Sequence, residues 1–172
     1  RQNDQTLDGA GLTVKPLAGM SLSYSHVWRV NRVFGSDSAQ GTYDDNHIHL
    51  VRLAQDFKGV GTLVAYSYLL DMPDAPAASS RTLGVRFSGS HALGASKLKL
   101  LYAAEYARQS DHGRNPRDFG LDYWLLEPGI ASGPWSVKLG FERLEGNGTV
   151  ALQTPLATLH AFNGWADKFL ST

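Results

Sequence analysis

The sequence has no cysteine among its 172 residues. No disulfide framework and no thiolate metal site can form, which excludes a secreted scaffold stapled by cystines. Charge is scarce and balanced: 16 basic and 16 acidic side chains leave a formal net charge of zero, and charged residues are only 19% of the chain. A polyanionic partner would have to be met by a local cluster of basic residues. No run approaches the roughly 18 uncharged apolar residues that a membrane-spanning helix requires. The opening Arg1-Gln2-Asn3-Asp4-Gln5 has no Met, basic n-region or apolar h-region, so any targeting segment is expected to have been removed or to lie upstream. The chain also lacks a G-x-S-x-G, a Walker loop, a dinucleotide fingerprint and an H-E-x-x-H. Neither an enzyme nor a cofactor is suggested. Basic residues do not interleave with aromatics in any nucleic-acid pattern. What is abundant is glycine (18), tyrosine (7), phenylalanine (7) and tryptophan (4), within 42% apolar residues. That is too apolar for a disordered tail and points to a turn-rich, aromatic-rich all-β chain.

Periodicity agrees. Apolar and polar residues alternate in runs of about ten, whereas amphipathic helices would need a period of 3.6. Leu22, Tyr24, Trp28 and Val30 oppose Ser21, Ser23, Ser25, Arg29 and Asn31, with His26 and Val27 blurring the pattern. Leu98, Leu100, Tyr102, Ala104 and Tyr106 oppose Lys97, Lys99, Leu101, Ala103 and Glu105. Trp135, Val137, Leu139 and Phe141 oppose Ser136, Lys138, Gly140 and Glu142. Leu83, Val85 and Phe87 oppose Thr82, Gly84, Arg86 and Ser88, while Phe119, Leu121, Tyr123 and Leu125 oppose Gly120, Asp122, Trp124 and Leu126. Weaker runs near 5–14, 46–57 (Val51 and Leu53 against Arg52 and Ala54) and 61–70 bring the candidates to eight strands.

The connections carry a second pattern. Short ones at 15–19, 58–61, 91–95 and 131–134 alternate with long polar ones at 34–45, 71–80, 110–117 and from 146 onward. Antiparallel up-and-down transmembrane β-barrels have this asymmetry, with short periplasmic turns, long outer loops and aromatics near strand ends. Ten residues at about 3.3 Å each, tilted near 40°, cover roughly the 25 Å apolar band. Alternation does not say which face points inward, so a soluble, lipocalin-like eight-stranded barrel with Tyr24, Trp28, Tyr66, Tyr102 and Phe141 around an apolar ligand stays open. If the short turns are periplasmic, both ends of the eight strands point outward. Residues 1–172 are then expected to be an arc of one larger barrel domain, unable to insert stably alone because only closure satisfies edge strands in lipid.

Several segments resemble the alginate export family of outer-membrane barrels: Arg29-Val-Asn-Arg-Val-Phe-Gly35, Tyr66-Ser-Tyr-Leu-Leu-Asp71, Leu100-Leu-Tyr-Ala-Ala-Glu-Tyr-Ala-Arg-Gln-Ser-Asp111 and Thr154-Pro-Leu-Ala-Thr-Leu-His-Ala-Phe-Asn-Gly-Trp-Ala-Asp-Lys-Phe169. The last is the most specific of the four. The resemblance implies a Gram-negative outer-membrane β-barrel of about eighteen strands when complete, passing an anionic polysaccharide such as alginate or a related solute, and it leaves open a periplasmic secretion complex as partner. It does not make alginate this chain's cargo.

If apolar faces meet lipid, Arg29, Arg52, Arg86, Lys97, Lys99, Lys138, Glu105, Asp122 and Glu142 line a wet passage, six positive against three negative. A ring of Arg and Lys between low-dielectric walls favours a passing carboxylate. Including Asp56 and Asp118 at the strand mouths reduces the excess to one, and pairs such as Lys138 with Asp122 or Arg86 with Glu105 would only keep the interior polar. The long loop at 146–172 has an apolar side: Thr154 can cap a short helix with Pro155 at its first position, Leu156, Leu159 and Phe162 recur every third residue, and Asn163-Gly164 can stop it. It reads either as a packed loop closing the outer rim or as a constriction in which His160, Trp165, Asp167 and Lys168 touch the solute, Trp165 stacking on a sugar ring. His47 and His49 beside Asp44 and Asp45 have a spacing that could chelate a metal, but read more simply as a solvated strand boundary. Asn147-Gly148-Thr149 fits a glycosylation acceptor only by chance pattern.

Overall fold

The computed structural model describes residues 5–32, 34–35, 37–38, 41–94 and 97–156. Ten strands form one antiparallel sheet: β1 (Thr6–Val14), β2 (Met20–Asn31), β3 (Thr42–Tyr43), β4 (His47–Phe57), β5 (Gly61–Asp71), β6 (Ser80–Ala92), β7 (Leu98–Asp111), β8 (Gly120–Ser132), β9 (Trp135–Lys138) and β10 (Phe141–Leu144). The order is β1-β2-β4-β5-β6-β7-β8-β10, with β3 a two-residue piece on β2 and β9 beside β10 on β8. Among the described residues the only helical element is a single 3₁₀ turn at Pro76–Ala78.

β9 and β10 are one pass of the chain. Lys138 lies opposite Gly129 and Phe141 opposite Leu126 in a common register, and between them the Leu139 N–H donates to the Pro128 carbonyl at 2.9 Å. Pro128 has no N–H to return that bond, so the ladder breaks at one point without slipping. Eight consecutive passes therefore run up and down, one for each run of alternating residues in the sequence. The sheet is open: β1 and the β9/β10 pass are its edges and do not pair with each other.

The ends of the sheet differ as the connection lengths predict. At one end the chain turns at 15–19, 58–60, 93–97 and 133–134. In the shortest turn Gly133 has φ +56 and is followed by Pro134, whose ring holds φ negative. A type II′ turn fits, whereas type I′ needs positive φ at both central residues. The other end carries the connections 32–46, 72–79 and 112–119.

Residues paired directly across strands share a face, so the registers sort the side chains into two sets. Leu12, Val14, Leu22, Leu53, Leu63, Leu83, Val85, Leu100, Tyr106, Trp124, Leu126, Ile130, Val137 and Phe141 lie on one face, which is apolar. The opposite face carries Ser21, Ser23, Ser25, Arg52, Thr62, Tyr66, Ser88, Arg86, Lys99, Glu105, Glu127 and Lys138 among small residues. Burial is inverted from that of a water-soluble sheet. Every buried strand residue, from Ala54 and Ala103 to Gln109 and Leu121, is on the polar face, while Leu126 on the apolar face is 55% exposed. Of the exposed large hydrophobics within strands, only Leu7, Tyr68 and Leu144 lie on the polar face, and Trp28 sits in a bulge.

Two apolar clusters pack at the long-loop end of the polar face. Val27, Val30, Ile48, Leu70 and Met72 form one, with Tyr43, Leu50, Ala75, Ala78 and Leu156 against it. Phe119, Leu121 and Val150 form the other, with Leu152. The loops there are tied together: the Met72 N–H donates to Ser79 Oγ at 2.9 Å, and Asn115 Nδ2 donates to the Ser79 carbonyl at 2.6 Å.

Candidate functional site

On the polar face ionised and aromatic side chains converge in an ordered array that reaches from β5 to β10. Its centre is Glu105 in β7. Tyr66 in β5 reaches over β6 and donates its hydroxyl to Glu105 Oε1 at 2.6 Å, while Arg86 in β6 donates to Oε2 at 2.6 Å. Tyr66 can cross because Gly84 lies beneath it; a Cβ there would overlap the phenol ring. Glu105 is only 13% exposed, so both carboxylate oxygens are engaged in a partly desolvated site, where charge-assisted bonds are strongest. Tyr68 stacks beside Tyr66 with ring centroids 4.8 Å apart at 24°. Arg52 lies directly opposite Tyr66 in β4 and is exposed, with no ion-pair partner among the described residues.

Toward β9 and β10 the pattern repeats with other residues. Lys138 donates to Glu127 Oε1 at 2.8 Å, and the Tyr123 hydroxyl donates to Glu142 Oε1 at 2.7 Å. Lys99 shares this face, near its tight-turn end, exposed and without an ion-pair partner among the described residues. The array thus holds two kinds of cation. Arg86 and Lys138 are neutralised by carboxylates, whereas Arg52 and Lys99 are not.

Seven of the nine strand residues singled out from the sequence can be followed here. Arg52, Arg86, Lys99, Glu105, Lys138 and Glu142 share the polar face; Lys97 precedes β7 and is exposed. The other two, Arg29 and Asp122, lie on the apolar face and correct the expected grouping. Arg29 is displaced by a bulge: Val27 pairs with Gly9 and Arg29 with Asp8, so Trp28 is an extra residue that reverses the alternation beyond it. Val30 thereby joins Val27 in the core, and Arg29 pairs with Asp44 and, at 4.0 Å, with Asp8. Asp122 lies opposite Arg108 and accepts from it at 3.0 Å, in line with Trp124 and Leu126 on the apolar face. The alternation of β8 points to the wrong face because loops cover the polar face at this end and make Phe119 and Leu121 core residues. Of the two ion pairs anticipated, Arg86 with Glu105 forms, while Lys138 takes Glu127 in place of Asp122.

His160, Trp165, Asp167 and Lys168 lie outside the described residues. His49 stacks on His26 at 4.7 Å and bonds to the Tyr24 hydroxyl at 2.8 Å; among the described residues no group of three or more His, Asp or Glu could hold a metal ion. Sequence reasoning missed Glu127, Tyr123 and Gln109. Glu127 shares the parity of Tyr123 and Leu125, which the alternation of β8 assigns to the apolar face, and its charge was the one sign against that assignment; nothing in the sequence marks Gln109. Comparison of the chain with models of known families, with characterised proteins and with solved structures finds no match.

Proposed function

We propose that the chain is a sector of an outer-membrane β-barrel channel of a Gram-negative bacterium, which passes a hydrophilic, anionic polysaccharide. The observation that carries this reading is the uncovered apolar face, which runs across all eight passes and whose ions, among them Arg29, Arg81, Arg108 and Asp122, gather at the long-loop end, while Arg52, Arg86, Lys99, Glu105, Glu127 and Lys138 lie on the other side. Water-soluble monomers rarely leave a continuous apolar patch larger than a few hundred Å². Hydrocarbon solvates such a face, and a wet lumen solvates Arg52, Lys99 and the paired ions opposite. β4 has 11 residues and β7 has 14, which at about 3.3 Å per residue and a tilt near 40° rise roughly 28–35 Å, enough for the apolar band.

The anionic character of the cargo is supported by the two cations that no carboxylate among the described residues neutralises: Arg52, opposite the Tyr66 ring that with Tyr68 offers a sugar a stacking face, and Lys99 nearer the tight turns. Its polysaccharide nature rests on the resemblance of the quoted segments to the alginate export family. The soluble alternative gains no support: Tyr24, Tyr102 and Phe141 are on the bare apolar face and Tyr66 is on the other, so these residues do not surround one ligand. Reconstitution of the full-length protein in planar bilayers tests the proposal. Ion conduction with anion preference, lost in Arg52→Glu/Lys99→Glu, is the expected result; recovery as a soluble monomer without detergent would defeat it.

A further inference from the structure

Beyond β10 the chain turns back across the polar face. The Glu145 N–H donates to the Asp122 carbonyl at 3.1 Å and so extends the last pass by one residue. A tight hairpin follows: Asn147 Oδ1 accepts from the Thr149 N–H, the Thr149 hydroxyl and the Val150 N–H at 3.0, 2.9 and 2.8 Å, and Gly146 bridges to Ala151. The Leu152 N–H closes it on the Glu145 carbonyl at 2.9 Å. The hairpin drops Val150 onto Phe119 and Leu121 of the polar face. From there the chain reaches β7, where Gln109 holds it. Gln109 Nε2 donates to the Gln153 carbonyl at 2.8 Å, and Gln109 Oε1 accepts the Gln153 N–H at 2.7 Å. The second proton of Nε2 goes to Thr82 Oγ1 at 3.0 Å. This amide is 2% exposed, and both of its donors and its acceptor are engaged. Leu156 then packs against the cluster of Val27, Val30, Ile48, Leu70 and Met72, and its carbonyl accepts from Gln5 ahead of β1 at 3.4 Å.

Residues 145–156 therefore cross from β8 to the far edge of the sheet over its polar side, at the long-loop end. Solute moving along the polar face at that end must pass under or around them. Resting on the channel reading, we propose that residues 145–156 are a fixed strap that sets the narrowest cross-section of the passage, and that Gln109 is the positioning residue that holds it there. Rigidity follows from the attachments. The strap is held by two apolar contacts and by a doubly bonded buried amide, whose loss would leave polar groups unsatisfied. A loop attached only at its ends would have no such hold on β7.

The test uses the full-length protein in planar bilayers with three variants. Gln109→Leu removes both bonds to Gln153 at similar volume, and Val150→Asp expels the hairpin from its apolar seat. Each is expected to raise single-channel conductance and admit solutes that the parent excludes, while heat-modifiable migration shows the barrel still folded. In the third, Leu121→Cys/Val150→Cys in a full-length protein cleared of any cysteine outside residues 1–172, which have none, the two thiols are joined by a short bifunctional maleimide. A fixed strap predicts parental conductance after joining. Parental conductance and size limit in both release variants would overturn the proposal, as would closure of the channel on cross-linking, since that would mean the strap has to move. A parent that does not conduct at all defeats the channel reading itself, a different outcome from a conducting parent whose pore ignores the strap.

Discussion

Gly84 shows how far the polar face depends on single atoms. Its missing side chain lets Tyr66 lie across β6 and reach Glu105, and Glu105 in turn holds Arg86. Gly84→Ala places a methyl in the Tyr66 ring and is expected to cost about 1–3 kcal/mol as an overpacked site. Urea titration of the folded protein in lipid vesicles measures it; an unchanged midpoint would mean that Tyr66 does not cross at Gly84. Charge at the same scale separates the faces. Arg52→Glu is expected to shift the reversal potential toward cations, whereas Arg29→Gln and Asp122→Asn, on the apolar face beside Asp44 and Arg108, should leave it unchanged. A shift from Asp122→Asn equal to that from Arg52→Glu would contradict the register of β8.

Among the elements, β8 is the most instructive. Trp124, Leu126 and Ile130 share the apolar face with Leu100, Ala104 and Tyr106, while Tyr123, Leu125 and Glu127 look the other way. Leu126→Arg places a charge in the middle of the apolar band and is expected to cost about 2–4 kcal/mol in a bilayer. Glu127→Gln, one residue on, should cost far less and act on Lys138 alone; equal costs from the two in urea titrations would deny the faces their different surroundings. Pro128→Ala restores the donor that β8 lacks toward Leu139 and is expected to join β9 to β10, stabilising that edge by about 1 kcal/mol. Protection of the new amide at 128 and slower exchange at 139 are the readouts, and an unprotected 128 amide with unchanged exchange at 139 would mean that something else breaks the ladder.

The strands that the sequence made legible are those with one consistently apolar face. β6, β7 and the β9/β10 pass came through with the right residues on the right sides, and the spacing of Gly and Pro located every tight turn. Two features were hidden for physical reasons. The bulge at Trp28 inserts a residue without changing composition, so alternation carried past it assigns Arg29 to the wrong face. The loops over the long-loop end turn polar-face positions into core, so Phe119 and Leu121 imitate the apolar face. Gln109 was invisible because the partners that give it its role, the N–H and carbonyl of Gln153, are backbone groups 44 residues away, and a backbone partner leaves no trace in side-chain pattern.

At the scale of the whole molecule, the sheet is two-sided in an unusual sense. One surface is covered by its own loops at the long-loop end and carries ions along its length; the other is apolar and bare, with its ions, among them Arg29, Arg81, Arg108 and Asp122, confined to the long-loop end. Both edges are unpaired, and in hydrocarbon every unsatisfied N–H and C=O of an edge costs several kcal/mol. The channel reading therefore requires further strand pairing at β1 and at the β9/β10 pass to close the wall. Its central claim is about which surface is wet. Because residues 1–172 have no cysteine, single thiols can be introduced, once any cysteine elsewhere in the full-length protein is replaced, at Val85, Leu100 and Leu126 on the apolar face and at Ser23, Ser88 and Ser90 on the polar one. The decisive measurement is labelling of these six variants by a water-soluble, membrane-impermeant maleimide in intact outer membranes. The account predicts reaction at 23, 88 and 90 and protection at 85, 100 and 126. Rapid labelling at 85, 100 and 126, with 23, 88 and 90 protected, would contradict it.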